Sequence, residues 1–259
     1  MSTRTCKILL SNLGYARGID GRLSRHIFYM HRHLYSSKSA QKRSLHQLSE
    51  LIEQEDPDIC CLVEIDEGSF TSAGYNQMDS LISKKRAYFD IESKYGPASR
   101  LRSFFITKGN SLALIAKRAF PYEKLYFDCG IKRLVYKVTL DENYTLFFAH
   151  FSLNKLVRKR QIIEAGELMS RALGEVIFLG DFNILTGIGE LEPLLKLGPF
   201  VLLNSKDTPT FKFHNRSLVL DLCICSKGIA EQAHLKVVPQ SYSDHDALIL
   251  DVTYDANAI

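Results

Sequence analysis

No window of the chain reaches the roughly eighteen consecutive apolar residues that a membrane-spanning helix requires. The opening MSTRTCKILLSNLG passes straight into an alternating strand pattern, with no apolar signal core. These two absences predict a chain that stays in solution, in the cytoplasm. Tryptophan is missing altogether, and neither an internal repeat nor a low-complexity tract interrupts the 259 residues. No cysteine spacing recurs with histidines as a zinc site would demand. Five of the six cysteines (Cys6, Cys60, Cys61, Cys223 and Cys225) lie in apolar strand-like runs, which fits buried thiols in a reducing compartment. Cys60-Cys61 reads as the two faces of one buried strand rather than a redox pair. The net charge of +4 is mild, so partners must be inferred from where the charge lies.

The charge is unevenly spread. Gly21 to Ser49 contains no acidic residue but carries Arg22, Arg25, Arg32, Lys38, Lys42 and Arg43 with four histidines. Ser93 to Tyr122 is also acid-free, with Lys94, Arg100, Arg102, Lys108, Lys117 and Arg118.

Apolar runs of strand length recur at Cys6–Leu10, Ile59–Val63, Leu112–Ala116, Leu134–Leu140, Thr145–Ala149, Val176–Leu179, Leu218–Ile224 and Ala247–Val252. Helical stripes alternate with them: Leu45, Leu48, Leu51 and Ile52; then Leu156, Ile163, Met169, Ala172 and Leu173; then Leu191 to Leu197, stopped by Gly198-Pro199. A hairpin across DENY favours mixed sheets covered by helices over a purely parallel sheet. Length and apolar content predict one domain over residues 1–259, the acid-free stretch after Asn12 marks a basic insertion at about 15–44, and a monomer is expected although the sequence leaves the oligomeric state open. The tail YDANAI reads as a frayed end.

The ends of the runs carry the chemistry. Asn12 follows KILLS, Glu64 follows ICCLV, His150 follows LFFA, and Asp181 and Asn183 follow VIFLG. Asp221 sits inside LVLDLCI, and Asp244 with His245 precedes DALILDV. Each has an ordinary reading alone, as a turn former, an ion pair or a satisfied core histidine. As a set they are oxygen-rich and contain imidazoles, which suits a hard cation and a phosphoryl group.

In the order and spacing of DICCLVEID, GNSLALIAK, FAHFSLNKLVRKRQI, FLGDFNIL, TPTF, SLVLDLCICS and YSDHDALILDV, the chain resembles the endonuclease/exonuclease/phosphatase superfamily over almost its whole length. That resemblance implies an α/β fold, a four-layer α/β sandwich in which two mixed β-sheets pack face to face with helices outside. It implies Mg²⁺, or Mn²⁺, held by Glu64 with Asn12 and Asp244 assisting. Asp181 would orient or deprotonate the attacking water, and Asn183 would hold a phosphate oxygen. His245 would face the scissile phosphate with Asp221 fixing its tautomer, and His150 would serve another phosphate oxygen or the leaving group. Gly180 would let the backbone approach the substrate, and Phe182 would point into the body. Two departures stand out: Val63 occupies the place where many members have glutamine, and the Trp-Cys-Asp-Arg block of phosphoinositide 5-phosphatases is absent.

The expected function is therefore metal-dependent hydrolysis of a phosphodiester, with nucleic acid the leading substrate. A lipid-headgroup or phosphoinositide phosphodiesterase or phosphatase is the alternative, and a catalytically silent binding module on the same fold is the second. The insertion after Asn12 carries three readings. It tracks a nucleic-acid backbone, it lies on an anionic membrane, or Ile27, Met30 and Leu34 pack on the body while the bases face water.

Overall fold

Most of the apolar runs become strands in a computed structural model that describes residues 2–256. In chain order the elements are β1 (Ser2–Asn12), α1 (Leu23–Phe28), α2 (Lys38–Glu55), β2 (Ile59–Asp66), β3 (Tyr88–Ser93), β4 (Asn110–Ala116) and β5 (Tyr122–Tyr126). They continue as β6 (Leu134–Asp141), β7 (Tyr144–His150), α3 (Lys155–Arg171), β8 (Glu175–Asp181), α4 (Glu192–Leu195) and β9 (Phe200–Leu202). The last are β10 (Phe211–Phe213), β11 (Arg216–Leu218), β12 (Asp221–Ser226), β13 (Ala233–Val238) and β14 (Ala247–Ala256).

Two six-stranded mixed sheets result, ordered β13-β14-β1-β2-β4-β3 and β5-β6-β7-β8-β12-β9, with β10-β11 as a separate ribbon. Each sheet contains one parallel pair, β1 with β2 and β7 with β8, and antiparallel neighbours otherwise. A parallel pair needs a long crossover, supplied by α2 in the first sheet and α3 in the second. The fold is thus two βαβ units facing each other, although no repeat is visible in the residues. In such units the carboxyl ends of the parallel strands open onto the crossover loops, where ligands bind.

Alternation along the strands builds three cores. Even-numbered residues of β1 (Cys6, Ile8, Leu10) fill the space between the sheets with Cys61, Val63, Phe148, Leu179 and Leu250. Leu9, Cys60, Leu62 and Ile249 face outward under the α2 stripe of Leu45, Leu48, Leu51 and Ile52. Phe147, Phe178 and Leu222 meet α3 and α4 on the other side. Cys60 and Cys61 accordingly belong to different cores, and all six cysteines are free. Among the described residues no helix is long and apolar enough to cross a membrane.

The structure corrects four local readings. The buried face of α3 is Arg158, Gln161, Ile162, Ala165, Gly166 and Met169, whereas Leu156 is 74% and Leu173 83% exposed, and Ile163 is also exposed. Hydrophobicity missed this face because two of its members are polar and fully paired. Arg158 donates to both Glu190 oxygens and to the carbonyls of Ser152 and Leu153, and Gln161 donates to Cys129 O and Lys132 O. The run Leu218–Ile224 is not one strand. It breaks after β11, where Thr210 Oγ1 accepts from Leu220 N and Asp221 N, so that Asp221 opens β12. Tyr254 to Ala256 extend β14 against β1 instead of fraying, and residues 257–259 of the tail lie outside the described residues.

The fourth concerns Gly180, which faces a neighbouring strand. A Cβ there would lie 2.4 Å from the carbonyl oxygen of Ala149 on β7. Gly180→Ala should therefore destabilise the fold by about 1–3 kcal/mol, readable as a lower denaturant midpoint, and an unchanged midpoint would refute this account.

Candidate active site

Sheet register places the polar residues abreast. His150 ends β7 and Asp181 ends β8, paired across the parallel ladder, and Asp221 at the start of β12 is the partner of Asp181 on its other side. Asn12 ends β1 in the facing sheet. Glu64 sits near the end of β2 at a β-bulge, where the register with β4 shifts between Val63 and Ile65. Its φ of 56° lies in the left-handed region, a strained conformation for a residue with a side chain. The bulge lets Val63 and Ile65 both stay buried while the half-buried Glu64 carboxylate reaches the strand ends.

Asp181 is the hub. Its Oδ2 accepts from Asn12 Nδ2 at 3.0 Å and lies 3.2 Å from His150 Nε2 and 4.0 Å from His245 Nε2. Its Oδ1 accepts from the backbone N–H of Asn183 at 2.9 Å. Burial opposes its charge, yet His150, His245 and Lys132 together hold its carboxyl well below the usual carboxylate range. Asn183 has φ 53°, and its Nδ2 donates to Phe151 O at 3.0 Å and Asp181 Oδ2 at 3.3 Å, so as placed its amide braces Asp181. Phe182 is buried and stacks on Phe151 with ring centroids 4.1 Å apart.

His245 Nδ1 lies 2.7 Å from Asp221 Oδ2, and its Nε2 lies 3.4 Å from Asn12 Nδ2. Burial works against the imidazolium, but Asp221, then Asp181 and Asp244, overcome it and raise His245 to about 10. Asp221 is itself pushed up to about 6 by burial, against the pull of His245. Between those values the pair is imidazolium and carboxylate. His150 behaves oppositely. Burial and then Lys132 outweigh Asp181 and Glu64 and lower it to about 4, so its imidazole is neutral near pH 7.

Three cations that the strand-end pattern did not single out converge here. Lys132 Nζ contacts His150 Nε2, with Gln161 holding its backbone carbonyl, and Lys94 Nζ contacts the hydroxyl of Tyr15. Burial opposes ionisation of Glu64, and His150, Lys132, Lys94 and Arg17 more than offset it, lowering its carboxyl below the ordinary value. Burial, then Lys132, lowers Lys94 to about 7. Lys94 was visible only as a member of an acid-free stretch. Lys132, on the short link before β6, carried no signal, because its role depends on β6 lying beside β7.

The residue types fit a divalent cation. Burial pushes the carboxyl of Asp244 up; His245 and a hydrogen bond from its own backbone N–H pull it down, and the Glu64 and Asp181 carboxylates add to the rise. Carboxylates that oppose one another's ionisation favour a bound hard cation, and Asn12 Oδ1, which accepts from Gly14 N, retains a second lone pair. Among the described residues, Asp181, Asp221 and His245 also bring one ligand atom each within 4.8 Å of one another and could hold a metal ion. There the 2.7 Å contact of His245 Nδ1 with Asp221 competes for the imidazole.

A profile of the Endonuclease/Exonuclease/phosphatase family matches residues 24–245. The chain belongs to that family. Its fold is shared by a humanized D. rerio TDP2 at 15% identity, covering 97% of this chain and 99% of that one, with a TM-score of 0.63. It is shared too by the endonuclease domain of TRAS1, a telomere-specific non-LTR retrotransposon (14% identity, 96% and 98% coverage, TM-score 0.61). A family protein from Beutenbergia cavernae DSM 12333 aligns at 13% identity over 98% of this chain and 72% of its own, with a TM-score of 0.68. No curated protein matches the chain. Family members are generally hydrolases of phosphate esters, and the four-layer sandwich expected from the sequence is the fold found.

Proposed function

We propose that this chain hydrolyses a phosphodiester with the help of Mg²⁺ or Mn²⁺. The supporting observation is the Asp181 carboxylate, held ionised between Asn12, Asn183 and two histidines of opposite protonation state. Glu64, Asp244 and Asn12 would hold the cation, which supplies Lewis-acid charge to a phosphoryl oxygen. Asp181 orients the attacking water and accepts its proton. Asp221 keeps the proton on His245 Nδ1, so that the Nε2–H of the imidazolium faces the charge that builds on the phosphoryl oxygens. Neutral His150, with Lys132 at its Nε2, serves a further phosphate oxygen or the leaving group.

The purified chain should be incubated with single-stranded DNA, duplex DNA, RNA and phospholipids, each with Mg²⁺ or with EDTA. Turnover of at least one phosphodiester that stops with EDTA is expected. Metal-independent turnover, or turnover that survives both Asp181→Ala and His245→Ala, would sink the mechanism. Within this reading, the acid-free segments point to a polyanion such as nucleic acid. A second reading, an ester carried by a lipid, is favoured by the apolar side chains that the insertion leaves in solvent.

A further inference from the structure

The insertion does not pack as an amphipathic helix. Between β1 and α2 only Leu23–Phe28 is α-helical, followed by a 3₁₀ turn over Met30–His33, and neither buries a residue. The side chains that would have formed a packed stripe stand in water: Ile27 is 62% exposed, Met30 63% and Leu34 77%, and Phe28 beside them 75%. Scattered exposed apolar residues need no explanation, but a group of them on one short segment does.

A second segment joins them. Phe104, Phe105 and Ile106 are also exposed, and the loop after β2 bridges the two. Ser36 N donates to Thr71 O at 2.7 Å and Phe70 N to Phe105 O at 3.0 Å. The rings follow in sequence: Tyr35 to Phe70 at 5.9 Å, Phe70 to Phe105 at 5.7 Å, Phe105 to Phe104 at 5.0 Å. This apolar rim is tied to the catalytic edge. Arg32 Nη1 donates to Arg17 O at 2.8 Å, and the guanidinium of Arg17 helps hold Glu64 ionised. The Phe70 loop hangs from Asp66, two residues after Glu64, whose Oδ1 accepts from Gly68 N, Ser69 N and Ser72 Oγ. Beside the rim Lys38, Lys42, Arg100 and Lys108 are exposed, in stretches that contain no acidic residue.

We propose that this rim docks the protein on an anionic lipid bilayer and brings a phosphate ester of a lipid headgroup to the site. The docking follows from the surface itself, and the hydrolysis rests on the phosphoesterase reading above. Aliphatic tips such as Ile27, Met30, Leu34 and Ile106 gain from entering the headgroup boundary, where flanking cations meet anionic lipid. The exposed rings beside them, Tyr35, Phe70, Phe105 and Phe104, meet one another tilted or edge-on at 57° to 72°, not as one flat platform for stacking bases.

The test is co-sedimentation of the full chain with vesicles of phosphatidylcholine alone or mixed with phosphatidylglycerol. Two variants accompany it: Phe28→Ser/Leu34→Ser/Phe105→Ser and the charge reversal Lys38→Glu/Lys42→Glu. Binding should require phosphatidylglycerol, and each variant should lose about tenfold or more of it. Turnover of soluble bis(p-nitrophenyl) phosphate should be the same in all three proteins. If neither that substrate nor any lipid or nucleic-acid phosphodiester is turned over, the catalytic reading fails while the vesicle result still decides the docking. Equal sedimentation with both vesicle types, or undiminished binding by the charge reversal, overturns the proposal. So does loss of single-stranded oligonucleotide binding in place of vesicle binding, or a wild-type dimer in light scattering that the apolar variant abolishes.

Discussion

Asp181→Asn is expected to lower kcat on any phosphodiester substrate by about a hundredfold to ten-thousandfold, the range spanned by positioned general bases. The amide keeps one oxygen to accept from Asn12 Nδ2 or Asn183 N, so the geometry of the strand end is largely retained. What disappears is the charge that orients water and takes its proton, and the attraction between Asp181 and the His245 imidazolium. Steady-state kinetics with Mg²⁺ present would check it, with circular dichroism to confirm the fold. A loss smaller than a few-fold would remove Asp181 from the chemistry.

The second large effect depends on pH. With His245 raised to about 10 and Asp221 at about 6, the wild-type rate should climb through the lower value and fall through the upper one. Asp221→Asn keeps a hydrogen-bond acceptor for Nδ1 but removes the largest source of the upward shift. The alkaline limb should then move from about 10 toward the usual 6.5 of an imidazole. The variant should be defective by about tenfold or more near about pH 8.5 and much less so near about pH 6.5, in a pH series of kcat. A defect of equal size across the series would contradict the role given to the pair. The same shift bears on stability. Because the folded value of His245 exceeds the unfolded one, its contribution is fully present below about 6.5 and is lost as pH rises through about 10.

How much of this was legible before folding differs from residue to residue. The α2 stripe could be read because Leu45, Leu48, Leu51 and Ile52 are all apolar and all buried. The α3 face could not, because Arg158 and Gln161 look like surface residues until their partners on other segments are known. Strands β1, β2, β4, β6, β7, β8 and β14 follow from continuous apolar runs. Strands β3 and β5, at the sheet edges, are amphipathic and short, and carry ion pairs such as Lys124 with Asp90 and Glu92. The candidate set was legible as the polar residues that end buried strands, a place where packing alone would not put them.

The order of the motifs determined the family and, through it, the four-layer sandwich. Strand alternation determined which residues of β1 and β2 share a face, because a side chain's face depends only on its position in the run, while the packing of the second sheet and of α2 decided which apolar face lies between the sheets. Tertiary structure decided what depends on distant segments meeting. Register between β7, β8 and β12 set His150, Asp181 and Asp221 side by side, a link before β6 brought Lys132 to His150, and the insertion kept its apolar side chains in solvent. Local pattern carries the periodicity of one element. Charge states and surface exposure are sums over every neighbour, and those neighbours are assembled only when the chain closes on itself.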